Sequence, residues 1–312
     1  MSDSADAPLI SLIIRSMDRA TLPETLDSVA GQTHRPIEVI LINAKGGIHR
    51  SGQDRGGAFS LRMVNQGGLP LNRSAAANAG LDAAQGQYIA FLDDDDTLDP
   101  DHLSHLLPFI QASETATVAF AGVRCVDRSD PERNISRIFG EPLYSFAQLL
   151  AGNFIPIHAP LFPSHLRQQA RYDETLETYE DWDFWLQLAQ SAHFVYSRRV
   201  TATYFTGGSS GVSPQAPDWE AVRRASRDLY AKWMRIKPDE FRNICNLYHE
   251  AAAKLKNSQE EIARLEQALA HSQNQIAFAH QHPKQAYPAS SGAWSRPLRQ
   301  LKALASQLFK RR

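Results

Sequence analysis

Cysteine is nearly missing from this chain of 312 residues: only Cys125 and Cys245 occur, far apart. Two such thiols make neither a disulfide scaffold nor a cysteine-rich metal site, and they predict a reducing compartment. Long hydrophobic runs are also missing. No apolar stretch approaches the roughly 20 residues that a membrane-spanning helix needs. An excess of one charge is missing too, with 33 Lys and Arg against 34 Asp and Glu. That balance argues against bulk nucleic-acid binding, and no nucleic-acid partner is expected. The first residues, MSDSADAPLIS, are acidic and lack a basic segment followed by an apolar one, so no secretory signal is expected. A cytoplasmic chain, at most peripheral to the inner face of a membrane, is the resulting expectation.

An ordinary core is affordable, since 43% of the residues are apolar and 21% charged. LISLII (9–14) and IEVILIN (37–43) read as buried strands, and TLPETLDSVAGQT (21–33) between them as a helix ending near Gly31. Strand, helix and strand in that order make one βαβ unit and imply a parallel sheet. GAFSLRMVNQ (57–66) supplies a third strand, NRSAAANAGLDAAQG (72–86) a helix stopped by Gly86, and YIAFL (88–92) a further strand. Asp99-Pro100 reads as the N-cap and first position of the next helix. Further strands are expected at 117–126 and 193–205, with a strong helix over 177–192 between them.

The strand YIAFL runs straight into Asp93, Asp94, Asp95 and Asp96. Four adjacent carboxylates repel one another, so the run favours a bound cation or a metal-bound phosphate. In an open parallel sheet, ligands sit outside the carboxyl ends of the strands. Hard cations such as Mg²⁺ or Mn²⁺ prefer carboxylate oxygen and often carry a substrate's phosphates. A solvated acidic turn is the plain alternative.

Four segments, PLISLIIRSMDR, IEVILIN, NRSAAANAGLDAAQGQYIAFLDDDDTLDPDHL and ETYEDWDFWLQLA, in that order resemble the family 2 glycosyltransferases over roughly residues 8–210. The resemblance implies an α/β, GT-A type, Rossmann-like and mostly parallel central sheet flanked by helices, with a C-terminal helical extension here. It also implies an inverting enzyme that takes sugar from a nucleotide-diphospho-sugar, with a UDP-sugar as the expected donor, for cell-surface polysaccharide biosynthesis. Asp93 and Asp95 match the family's Asp-x-Asp, which makes them the implied ligands of a divalent cation, Mn²⁺ or Mg²⁺. Ser16, Asp18, Asn43, Arg73, Asp93 and Asp94 are the implied donor-binding positions, and Asp96 resembles the family's extra acid. Asn43 and Ala44 stand where the family has an acidic pair reading the base. TYFTGGSSGVS (203–213) has neither the Arg nor the His that often follows the last strand, and its Gly-Gly-Ser-Ser run suggests a loop that closes over the diphosphate.

Asp181 carries two readings. Thr178-Tyr179-Glu180-Asp181 fits a capping box, in which Asp181 only closes a helix start. By resemblance, Asp181 is instead the base that takes the acceptor hydroxyl's proton. The acceptor is expected to be a glycan or a lipid-linked molecule, and His158 lies in the segment expected to face it. Two alternatives stand beside the enzyme: a non-catalytic sugar-nucleotide-binding or scaffold protein, and a metal-dependent phosphotransferase.

The domains read as a catalytic domain over 1–215, a helical extension over 216–281, a linker over 282–297 and a basic amphipathic tail over 298–312. Leu255, Ile262, Leu269 and Ile276 recur every seven residues, which predicts a weak coiled coil and a homo-oligomer through 250–280. From 283 onward, Lys284, Arg296, Arg299, Lys302, Lys310, Arg311 and Arg312 meet no acidic residue. With Leu298, Leu301, Leu304, Leu308 and Phe309 on one face, the tail is expected to lie on an anionic membrane surface. A partner-binding helix is its alternative.

Overall fold

The computed structural model describes residues 7–49, 57–130, 132–143, 145–176, 178–207 and 219–281. The expected linker and basic tail lie outside the described residues, as do 208–218 of the glycine-rich loop. Among the described residues, no helix is long and apolar enough to cross a membrane.

The chain forms a nine-stranded mixed sheet flanked by helices. Its first half is a parallel unit built from β1 (Ile10–Ser16), α1 (Leu22–Ala30), β2 (Ile37–Asn43), β3 (Ser60–Val64), α2 (Arg73–Ala83) and β4 (Tyr88–Asp93). Both β1 and β2 are buried at all seven positions, as strands covered on two faces must be. Helix α2 packs closely on β1: a Cβ at Gly80 would lie 2.2 Å from Ile13 Cγ2. Asn72 caps α2 by accepting from Ala75 N at 2.8 Å. Gly86 does not stop that helix, which already ends in extended Ala84. A Cβ there would lie 2.6 Å from Ser11 N, so Gly86 lets the chain enter β4 against β1.

The second half continues through β5 (Thr97–Leu98), α3 (His102–Gln111), β6 (Thr117–Asp127), β7 (Ile135–Phe139), α4 (Phe146–Ala151), β8 (Pro160–Pro163), α5 (Glu180–Leu188) and β9 (His193–Thr206). Strand β8 pairs antiparallel with both β4 and β6, and β9 pairs parallel with β6. The strand order is therefore β3-β2-β1-β4-β8-β6-β9-β5, with β7 added to β6. The expected α/β class with a Rossmann-like parallel sheet holds, and every antiparallel pair involves a strand of the second half.

Two local expectations shift. Asp99 does not cap α3, whose N-cap is Asp101; its carboxylate is taken by Arg124 at 2.7 and 2.6 Å. Helix α5 starts at Glu180, later than expected, because Tyr179 stands in the left-handed region with φ 66°.

The first compact unit runs through Phe241, beyond the residue 215 at which the catalytic domain was expected to end. Helix α6 (Trp219–Ile236) is part of it and buries Leu229 and Trp233 completely. Asp183, fully buried in α5, accepts from Trp233 Nε1 at 2.8 Å and Lys232 Nζ at 2.8 Å. The second unit holds most of α7 (Pro238–Gln281), a single helix of 44 residues.

Candidate active site

Strands β1 and β4 are in register up to Arg15 opposite Asp93, so their carboxyl ends deliver both residues to one edge of the sheet. A cavity of about 520 Å³ opens there, within the range of small-molecule sites. The acidic loop after β4 forms part of its wall and the start of α5 another.

The loop is a turn closed by Asp96 N donating to Asp93 O at 3.2 Å. Its four carboxylates do not share one fate. Asp94 is turned inward and fully buried. It accepts from Ser16 Oγ at 2.7 Å and Met17 N at 2.8 Å, and pairs with the Arg19 guanidinium. The other three, Asp93, Asp95 and Asp96, bring carboxylate oxygens within 4.8 Å of one another at the cavity. Burial, then the Asp93 charge, pushes Asp95 up to about 6. Burial, then Asp95 and Asp93, pushes Asp96 well above the usual carboxylate range. Asp93 goes the other way: burial opposes its charge, but Arg15 beside it outweighs burial and holds it below that range.

An all-oxygen, mutually repelling trio suits a hard divalent cation, whose charge would remove the repulsion that raises Asp95 and Asp96. Asp95 is the best placed ligand. Both oxygens of Asp93 already accept from Arg15, at 2.8 and 2.9 Å.

At the opposite wall, the left-handed Tyr179 sets Glu180 and Asp181 on the first turn of α5, where the helix dipole favours negative charge. Glu180 is buried and paired with Arg15 Nη1 at 2.8 Å. Asp181 faces the cavity. Its Oδ1 accepts from Trp182 N at 2.7 Å and Asn153 Nδ2 at 3.3 Å. Among the described residues no hydrogen-bond donor reaches its Oδ2. Burial, then the Glu180 charge, pushes Asp181 up to about 7. The capping-box reading fails geometrically, because the N-cap is Tyr179 and makes no side-chain cap.

Of the residues singled out in the sequence, Arg73, Asp93, Asp95 and Asp181 line the cavity, as do Asp96 and His158. Ser16, Asp18, Asn43 and Asp94 do not line it. Each is used up in shaping the loops beyond β1 and β2. Ser16 Oγ holds Asp94 and also meets His49 Nε2 at 2.9 Å. Asp18 pairs with Lys45 Nζ at 3.2 Å. Asn43 donates to Gly47 O at 2.7 Å and accepts from Gly46 N at 3.1 Å. Their neighbours Met17 and Ala44 line the cavity instead.

His158 is buried and neutral, pushed down to about 4 by its burial. Neither ring nitrogen has a hydrogen-bond partner among the described residues, and the ring stacks on Tyr204 with centroids 6.1 Å apart. Its Nδ1 lies 3.4 Å from Asp96 Oδ2. Sequence reasoning missed Arg15, Glu180, Asn153 and Tyr204. Arg15 had a signal: a cation closing the buried strand run ISLIIR has to meet a buried anion.

Residues 63–173 match the model of the family described as Glycosyl transferase family 2. A glycosyltransferase of Methanocaldococcus jannaschii, MJ1057, is 25% identical over 199 residues, covering 60% of this chain and 67% of its own length. YwdF, a glycosyltransferase of Bacillus subtilis, is 25% identical over 263 residues, covering 81% and 94%. The function of both is uncharacterized. Residues 1–349 of S. aureus TarS, solved in complex with UDP-GlcNAc, superpose with a TM-score of 0.49 at 16% identity, covering 69% of this chain and 65% of that one. This chain thus spans about two thirds of the length of MJ1057 and of that TarS chain.

Proposed function

We propose that this chain, which belongs to glycosyl transferase family 2, moves a sugar from a nucleotide-diphospho-sugar to a hydroxyl of a glycan or lipid-linked acceptor, with inversion. The observation that carries the reading is Asp181. It is a cavity-facing carboxylate with an open oxygen, held near neutrality by its surroundings, in the same cavity as the Asp93, Asp95 and Asp96 trio.

In this mechanism Asp181 Oδ2 accepts the proton of the acceptor hydroxyl as its oxygen bonds to the anomeric carbon. The bond from that carbon to the diphosphate oxygen breaks, and its electron pair leaves with the nucleoside diphosphate. A base with a pKa near the working pH suits this role. Burial, and then the Glu180 charge, keeps Asp181 basic, and Asn153 steadies Oδ1. Arg73 faces the cavity at the N-terminus of α2, where its charge and the helix dipole favour a phosphate. Asp95, with Asp96 and Asp93 beside it, would hold a divalent cation, Mn²⁺ or Mg²⁺, which neutralises charge on the leaving diphosphate. A UDP-sugar is the donor class this reading favours, bound past Met17 and Ala44. The basic tail is proposed to bring the enzyme to an anionic membrane at the cytoplasmic face, where lipid-linked acceptors reside.

The test is a panel of nucleotide-sugars screened with and without Mn²⁺ by thermal shift, followed by donor turnover. Metal-dependent stabilisation by one donor class, with turnover lost in Asp181→Asn, is expected. Binding without turnover in the unmodified chain favours a non-catalytic sugar-nucleotide binder.

A further inference from the structure

The apolar side chains of α7 stand out in solvent at a fixed interval. Tyr248 is 69% exposed, Leu255 61% and Ile262 49%, each seven residues after the last, and Leu269 continues the series. Taking these as the first apolar position of each heptad, the second falls at Ile244, Ala251, Ser258 and Leu265. The remaining positions along 248–274 are almost all polar or alanine, so one narrow stripe is left to cover.

We propose that this stripe pairs with the same helix of a second copy of the chain, antiparallel, about a two-fold axis passing between Lys256 and Asn257. In an antiparallel pair each first-position residue meets a second-position residue of the other chain. With the axis at that point, Tyr248 meets Leu265 of the second copy, Ala251 meets Ile262, and Leu255 meets Ser258. Ile244 meets Leu269 one layer further out. Two of these layers set a large residue against a small one, Ile262 on Ala251 and Leu255 on Ser258, and symmetry repeats each layer on the other side of the axis.

Charge selects this register. The flanking positions just before Leu255 and Ile262 hold Lys254 and Glu261. In the proposed pair they face each other across the interface twice, Lys254 against Glu261 of the second copy. Sliding the helices one heptad in one direction sets Glu261 against Glu261, and in the other Lys254 against Lys254. A parallel pair is worse. It stacks Ser258 on Ser258, wasting a layer, and sets Glu261 against Glu266 on both sides. Along its own helix, among the described residues, Glu261 pairs with Arg264 alone, at the limiting distance of 4.0 Å with both side chains well exposed. That contact does not compete with the interchain pair.

The experiment is sedimentation equilibrium on the full chain. A dimer is expected for the unmodified protein, and a monomer at tens of micromolar, a trimer or a tetramer would overturn the proposal. Glu261→Lys discriminates orientation by sign. In the antiparallel register it turns two attractive pairs into two repulsive ones and should weaken dimerisation about tenfold. In a parallel pair it relieves repulsion from Glu266 and tightens the dimer, so tightening or no change overturns the proposal. Adding Lys254→Glu to Glu261→Lys should restore the original affinity, and failure to do so removes the register. Leu255→Glu should give a monomer whose catalytic unit melts as before. These side chains are exposed, so the substitutions leave the core intact.

Discussion

Arg15 and Asp93 face each other at the ends of adjacent strands and close a two-point salt bridge, Nε to Oδ1 at 2.8 Å and Nη2 to Oδ2 at 2.9 Å. The third nitrogen of the same guanidinium reaches Glu180 at 2.8 Å. One cation therefore ties the first aspartate of the acidic loop to the residue that precedes Asp181. Burial opposes charge on Arg15, but Asp93 and Glu180 outweigh it and raise its pKa. Arg15→Met would leave two carboxylates uncompensated in a buried site. We expect a loss of about 3–5 kcal/mol at pH 8, the usual cost of breaking a buried ion pair from one side, measured by urea unfolding. Adding Glu180→Gln should recover part of it. A loss below about 1 kcal/mol would show that water, not Arg15, neutralises the site.

Asp181→Asn separates chemistry from binding. Donor affinity should change little, while turnover falls by about 10²–10⁴-fold, the range for losing a general base. Because the base acts only when ionised, turnover of the unmodified enzyme should rise with pH through about 7 and then level. The residual activity of the Asn variant should lack that limb. Retained turnover with an unchanged pH profile would remove Asp181 from the mechanism.

Asp95 makes a prediction about metal and pH together. Its pKa is raised to about 6, so a proton competes with a cation below that pH. Mn²⁺ affinity, read by calorimetry, should rise as pH increases through about 6 and flatten above it. A carboxyl whose folded pKa is raised stabilises the fold fully below its unfolded value of about 3.9. That contribution is lost as pH climbs through the folded value. Asp95→Asn should therefore raise metal-free stability at pH 8 by about 1 kcal/mol, net of its lost ion pair with Arg19 Nε, 3.6 Å from Oδ2, while abolishing the Mn²⁺ response. A variant that still binds Mn²⁺ as before would move the ligand role to Asp96.

The parallel half of the fold was legible because β1, β2 and β4 are buried on both faces and must be written as apolar runs. The acidic loop was legible because adjacent carboxylates repel and need a reason, whereas Asp181 stood out only through the resemblance, its local pattern reading as a helix cap. What stayed hidden depends on side-chain direction. Asp94 and Asp95 are adjacent and chemically identical, yet one turns inward to hold the β1 loop and the other outward to the cavity. Nothing in a run of four aspartates marks that difference. The same holds for Ser16, Asp18 and Asn43, which lie off the cavity: polar residues after a strand serve loop geometry as readily as a ligand. Helix α6 was read apart from the catalytic domain because its fully buried anchors, Leu229 and Trp233, are too few to show as a core pattern.

Those anchors supply the last prediction. Asp183 accepts from Trp233 Nε1 and Lys232 Nζ of α6, both at 2.8 Å, and from Gln187 Nε2 at 2.7 Å within α5. A fully buried carboxylate with three donors is a fixed joint between the helix that carries Asp181 and the helix behind it. Asp183→Ala would leave the buried indole N–H without an acceptor and Lys232 with only Asp173, which it meets at 2.7 Å. We expect a loss of about 3 kcal/mol. Asp183→Asn keeps the shape and an acceptor for Trp233 but removes the charge opposite Lys232, so its cost should be about 1–2 kcal/mol. Limited proteolysis should then cut within 219–236 in the Ala variant well before the Asn variant. If both variants match the unmodified chain in denaturation and proteolysis, α6 is not held by this joint, and the first unit ends before it.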